Sequence, residues 1–104
     1  MSPLLIAAAG AALVAQADQA NERYVSCMFA VAREQPRGLS ADELVAVLRS
    51  ACVQEREASH VSTIAVQRQR GTTPPEAEAA WNTLVEQAIA NIASARARVR
   101  TAAR

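Results

Sequence analysis

The chain has 104 residues, 51% of them hydrophobic, and its eleven basic and ten acidic side chains leave a formal net charge of +1. That balance argues against a nucleic-acid partner, whose phosphates call for a concentrated positive field. A single Trp, Tyr and Phe leave one modest core to be built from Ala, Val, Leu and Ile, and no strand-like alternation of any length is present, so the expected class is all-α.

Met1 to Ala17 holds no charged side chain, and its apolar run from Leu4 to Val14 is followed by Ala15-Gln16-Ala17. This is the small-x-small pattern of a signal-peptidase site. The run is shorter than the roughly 20 apolar residues that span a bilayer. It reads as a cleaved secretory signal, residues 1–17, with Asp18 opening a single mature domain over residues 18–104 in the periplasm or outside the cell. The departure from the pattern is the missing Lys or Arg ahead of the apolar run; a retained segment would instead be an apolar helix or anchor.

Tyr24, Cys27, Met28, Val31 and Ala32 recur at the spacing that lines one helix face. Gln35-Pro36-Arg37-Gly38-Leu39 holds the two strongest helix breakers. Ser40 and Glu43 then form a capping box, with Leu39 and Leu44 placed as a hydrophobic staple. The second helix is expected to run from this cap to about Gln69, its face carrying Leu44, Val45, Leu48, Ala51, Cys52 and Glu55, then Ala58, Ser62, Ala65 and Val66. The two helices read as an antiparallel hairpin.

Cys27 and Cys52 are the only cysteines, one on each arm. In an exported chain they fit one structural disulfide. Closing a loop of about 26 residues stabilises by roughly 3.5 kcal/mol in the chain-entropy model. In a reducing compartment the same pair would be two buried thiols acting as small hydrophobes.

Gly71 suits the residue after a helix, and Pro74-Pro75 suit the first turn of the next; Thr73 and Glu76 repeat the capping-box spacing. The third helix shows the best periodicity: Ala77, Trp81, Leu84, Val85, Ala88, Ile89, Ile92, Ala95 and Val99 form one apolar stripe, with Trp81 as its core anchor. The expected architecture is therefore three helices, a disulfide-braced antiparallel hairpin with a third helix packed along it.

The export segment, the paired cysteines and Trp81 on a late helix resemble small periplasmic acid-stress chaperones, which are exported all-α chains. The Cys27-to-Cys52 spacing is shorter than in that family and no further motif carries over, so no family is assigned.

The residues offer little catalytic chemistry. His60 is the sole histidine, and with Glu57 it supplies two ligands at most, too few for a structural zinc site. No Cys-x-x-Cys-His is present for haem attachment, so a His60–Met28 haem pairing has no further support. Ser40 is explained by its cap, Glu55 and Glu57 diverge on a helix, and neither cysteine belongs to a Cys-x-x-Cys motif. The sequence points to a non-catalytic protein with no cofactor.

All basic side chains are Arg, and residues 90–104 carry Arg96, Arg98, Arg100 and Arg104 without an acid. They suit the negative end of the third helix dipole. Arg96, Arg100 and Arg104 share one helical face and could also touch an anionic membrane surface. Val47, Val61 and Ile64 lie off the main stripe and could form a partner surface or homodimer seam. The expected function is an exported, non-catalytic protein-interaction module; the alternative is a peripheral envelope binder using the Arg-rich end or a retained N-terminal segment.

Overall fold

The computed structural model describes residues 3–102, with side chains over residues 10–99. It is all-α: α1 (Pro3–Glu34), α2 (Ala41–Ser50), α3 (Val53–Gln69) and α4 (Pro74–Ala102). Among the described residues there is no strand. The molecule measures 60 × 23 × 22 Å, a rod whose length follows from α1, about 48 Å long at 1.5 Å per residue.

The expected three helices are four, because the second is cut in two. Ser40 caps α2 as the sequence indicates: its Oγ accepts from the Glu43 N–H at 3.1 Å, and its own N–H donates to the Glu43 carboxylate at 3.1 Å. α2 ends after ten residues, where Ala51 is extended and Cys52 is left-handed, with φ 57° and ψ 47°. A non-glycine residue in that conformation costs about 1–2 kcal/mol. Residues 39–70 contain no Pro or Gly, so nothing in the local sequence announces the break. The break falls at the covalent tie: Cys52 is bonded to Cys27, with their Cα atoms 6.1 Å apart, just where α3 begins.

The break resets the phase of the helix that follows. The sequence pattern places Ala58, Ser62, Ala65 and Val66 on the inner face; of these only Val66 is buried, and Ser59 and Thr63 are the other buried residues of α3. α3 is also the principal partner of α1, in the most extensive helix contact of the molecule. Their pairing descends along α3 as it ascends α1: Gly10 approaches Gln69, Asn21 meets Ser59, Tyr24 meets Arg56, and Cys27 meets Cys52. The two are antiparallel. Ser59 with Trp81 and His60 with Glu78 give α4 the same sense relative to α3, so α4 runs parallel to α1. The helices run up-down-up, and the middle member is two helices, α2 and α3, where one was expected.

α3 closes with a Schellman turn. Thr72 N–H donates to the Gln67 carbonyl at 3.0 Å and Gly71 N–H to that of Arg68 at 3.0 Å, with Gly71 at φ 87°.

Packing differs along the rod. The apolar core lies where α1, α2 and α4 meet, built from Tyr24, Met28, Ala32, Leu44, Leu48, Ile89, Ile92 and Ala93. Met28, Leu48 and Ile89 are its fully buried large side chains. Trp81, the expected anchor, is half-buried outside this cluster, and Leu84 on the same stripe is 55% exposed. Where α1 and α3 meet, Ala17, Ala20 and Val66 are buried beside the polar pair Ser59 and Thr63. A polar seam holds that region. The Ser59 hydroxyl donates to Asn21 Oδ1, Thr63 Oγ1 donates to the same oxygen at 3.4 Å, and Trp81 Nε1–H reaches Ser59 Oγ at 3.5 Å.

Candidate functional site

A groove of about 700 Å³ lies between α1, the 35–38 link and α4. Phe29, Ala32, Ile92, Ala95 and Val99 give it an apolar lining, while Arg33, Arg37 and Arg96 supply positive charge; among the described residues no carboxylate lines it. Its position follows from the elements that build it. Pro36 and Gly38 stop α1 and turn the chain, closing one end, whereas α4 continues past that turn. Phe29 is 42% exposed and Val99 69% exposed, so the lining is open to a ligand.

Arg96 organises this region. Its guanidinium donates to the carbonyls of Ala32, Gln35 (2.5 Å) and Pro36 (2.7 Å). These belong to the last turn of α1 and the link beyond it, where the Ala32 and Pro36 carbonyls also accept from the Gln35 N–H (3.3 Å) and the Leu39 N–H (3.1 Å). The cation therefore adds a second donor to those two, serves the Gln35 carbonyl, and meets the negative end of the α1 dipole. Gln35 adds its own amide, donating to the Val31 carbonyl at 3.1 Å.

Of the residues singled out by sequence, Cys27 and Cys52 are joined, as a disulfide that fits an oxidising, extracytoplasmic compartment. Glu55 stands beside them in metal-ligand range, but the sulfurs are used in their mutual bond. Arg96 is a cap for α1 and a wall of the groove rather than a freely exposed cation. Arg104 lies outside the described residues, and the Arg100 side chain is likewise outside them. Val61 is exposed, and Val47 and Ile64 are half-buried. The 1–17 segment, of which Met1 and Ser2 lie outside the described residues, continues into the rest of α1 without a break. Among the described residues no helix is long and apolar enough to cross a membrane.

Other polar clusters are explained by packing. His60 Nε2 lies 2.8 Å from the Glu78 carboxylate, and its ring sits 4.5 Å from that of Trp81. The Ser59 hydroxyl turns instead to Asn21, so the neighbouring serine and histidine belong to different networks. Arg56 Nε–H donates to Tyr24 Oη at 3.1 Å. Arg49 pairs with Glu86 at 2.9 Å across α2 and α4; the hydrogen bond lowers the glutamate's pKa and raises the arginine's. Bonding to the Ser40 N–H lowers Glu43 similarly.

Sequence reasoning missed the groove because its walls come from three separate segments. The available signal was Phe29, the lone Phe, standing one residue off the inner face of the first helix. No protein-family model, curated protein or solved structure matches this chain.

Proposed function

We propose that the chain is an exported, non-catalytic protein-interaction module, periplasmic or secreted, and that its partner docks in the groove between α1 and α4. One observation carries this reading: an apolar lining that is exposed at Phe29 and Val99 and is walled, among the described residues, by three arginines and no carboxylate. Concave apolar sites with a few placed polar groups are where proteins take ligands, and arginine is enriched where partners are held. The leader-like 1–17 segment and the Cys27–Cys52 bond support export. With cleavage after Ala17, Asp18 would put an acid at the new helix start, favourable to the dipole.

The test is a photo-crosslinking side chain placed at Val99, or at Val61 on α3, in protein exported by a bacterial host. A discrete protein adduct from Val99 is the expected outcome. Adducts from Val61 alone would move the partner surface to α3, and adducts from neither would defeat the reading. Intact mass and thiol alkylation test export: the expected chain lacks residues 1–17 and has alkylatable thiols only after reduction.

A second reading, peripheral contact with an anionic envelope surface, is favoured by Arg98 and Val99, adjacent and both exposed near the end of α4. Binding to anionic vesicles that weakens with salt would support it.

A further inference from the structure

We infer that the reduced form of this chain binds one Zn²⁺ ion between Cys27, Cys52 and Glu55, so that the disulfide is the closed state of a redox-gated metal site. The inference is independent of the α1–α4 groove. Cys27, Cys52 and Glu55 are all half-buried, and one ligand atom from each lies within 4.8 Å of the other two. A tetrahedral zinc holds sulfur at about 2.3 Å and carboxylate oxygen at about 2.0 Å, which separates its ligand atoms by about 3.3–3.8 Å. Small side-chain rotations bring the trio to that spacing once the sulfurs part, since the Cα atoms of the two cysteines are already 6.1 Å apart.

Glu55 sets this site apart from an ordinary structural disulfide. Among the described residues it is the one Asp or Glu withdrawn from solvent; the others are exposed. Glu43, Glu78 and Glu86 are engaged by Ser40, His60 and Arg49, but the Glu55 carboxylate has no hydrogen-bond or ion-pair partner among the described residues. Arg56, the adjacent base, donates to Tyr24 instead. Cys52 and Glu55 repeat the Ser40–Glu43 spacing, yet no side-chain cap forms at the start of α3. A carboxylate drawn partly out of water without a donor carries a desolvation cost, which a cation at this point offsets. The positive end of the α3 dipole falls on Cys52 and favours its thiolate. Standing three residues apart, Cys52 and Glu55 share a helix face whether α3 begins at Val53 or continues from α2.

Opening the site takes two electrons and two protons, supplied by a dithiol reductant, either a small molecule or a protein with a Cys-x-x-Cys pair. Its thiolate attacks one sulfur of the Cys27–Cys52 bond to give a mixed disulfide. Its second thiol then displaces that sulfur, leaving Cys27 and Cys52 as thiols and the reductant as its own disulfide. Zn²⁺ takes the place of the two thiol protons, which pass to solvent. Two thiolates and one carboxylate leave the fourth tetrahedral position to water. The oxygen ligand sets the choice of metal, because thiolates alone suit Cu(I), whereas zinc accepts a mixed sulfur and oxygen set.

The test uses the purified chain, reduced with a phosphine under anaerobic conditions, with Co²⁺ as the spectroscopic stand-in for Zn²⁺. One Co²⁺ per chain should give sulfur-to-metal charge-transfer absorption and the intense visible bands of a tetrahedral site, and Zn²⁺ should displace it and bleach both. The oxidised chain should give neither. Glu55→Gln keeps both thiols and should bind Zn²⁺ at least about tenfold more weakly, since even outer-shell partners contribute about 10–100-fold. Glu57→Gln, exposed on the same helix, should bind as the unaltered chain does. Zn²⁺ should also raise the melting midpoint of the reduced chain, or refold it by circular dichroism where reduction alone unfolds it. A reduced chain without charge-transfer absorption overturns the inference. So does one ion for every two chains, which means ligands shared between molecules, unchanged affinity in Glu55→Gln, or zinc that leaves a reduction-unfolded chain unfolded.

Discussion

Arg96 shows how one side chain can close an element more than sixty residues away. Its guanidinium serves three carbonyls at the end of α1, so Arg96→Ala should destabilise the protein by about 2–3 kcal/mol, in the range for charged hydrogen bonds. Arg96→Lys should recover only part, because a point-like ammonium cannot match the fork of donors; urea unfolding measures both. Gly71 makes a purely conformational contribution. A Cβ there would meet nothing within 4 Å, yet φ is 87°, so Gly71→Ala should cost about 1 kcal/mol through backbone strain alone. The acid response follows from Glu43 and Glu86, both held below their ordinary value of 4.5. A depressed folded pKa means that their stabilisation is complete above that value and is lost as pH falls through the folded one. The thermal midpoint should therefore decline below about pH 4.5, and the double variant Glu43→Gln/Glu86→Gln should flatten the decline while starting lower at neutral pH. At this scale the sequence was legible where the chemistry is local. Ser40 and Glu43 are three residues apart and Gly71 follows its own helix, whereas the partners of Arg96 lie on another element.

The break between α2 and α3 is where element-level reading failed. Helical propensity and spacing support one continuous helix from Ser40 to about Gln69, and the interruption falls at Cys52, the residue bonded to another helix. Local preference and tertiary constraint therefore oppose each other at Ala51 and Cys52. Reduction, or Cys27→Ser/Cys52→Ser, should lower stability by about 3.5 kcal/mol in the chain-entropy model. It should also shift the backbone carbon resonances of residues 50–53 toward helical values. Unchanged shifts on reduction would mean that packing, rather than the disulfide, holds the break. The same feature explains why the inner face of α3 was misread by one position: a left-handed residue turns the rest of the helix relative to the pattern before it. Trp81 was misplaced for a related reason. Its partners, His60 and Ser59, lie on that rotated helix, and its indole N–H is drawn to a polar seam outside the apolar core.

Across the whole molecule, stability is concentrated in the cluster that α1, α2 and α4 share. Leu48→Ala should cost about 2–5 kcal/mol, because the residue is fully buried among large neighbours. Leu84→Ala, on the same apolar periodicity as Ile89 but exposed, should change stability by no more than about 0.5 kcal/mol. Periodicity thus identifies helices well and ranks their residues poorly, since the stripe of α4 is wider than the surface that its three neighbours, α1, α2 and α3, cover. The all-α class and the cysteine pairing were readable from spacing and composition; the groove was not, since it is the uncovered remainder of that packing. The disulfide, finally, gives the molecule a closed covalent ring, from Cys27 through the link and α2 to Cys52. A protease that cuts the chain between Pro36 and Leu39 would add one water to the mass and release no fragment, leaving nicked and intact protein to co-migrate until a reductant separates the two pieces.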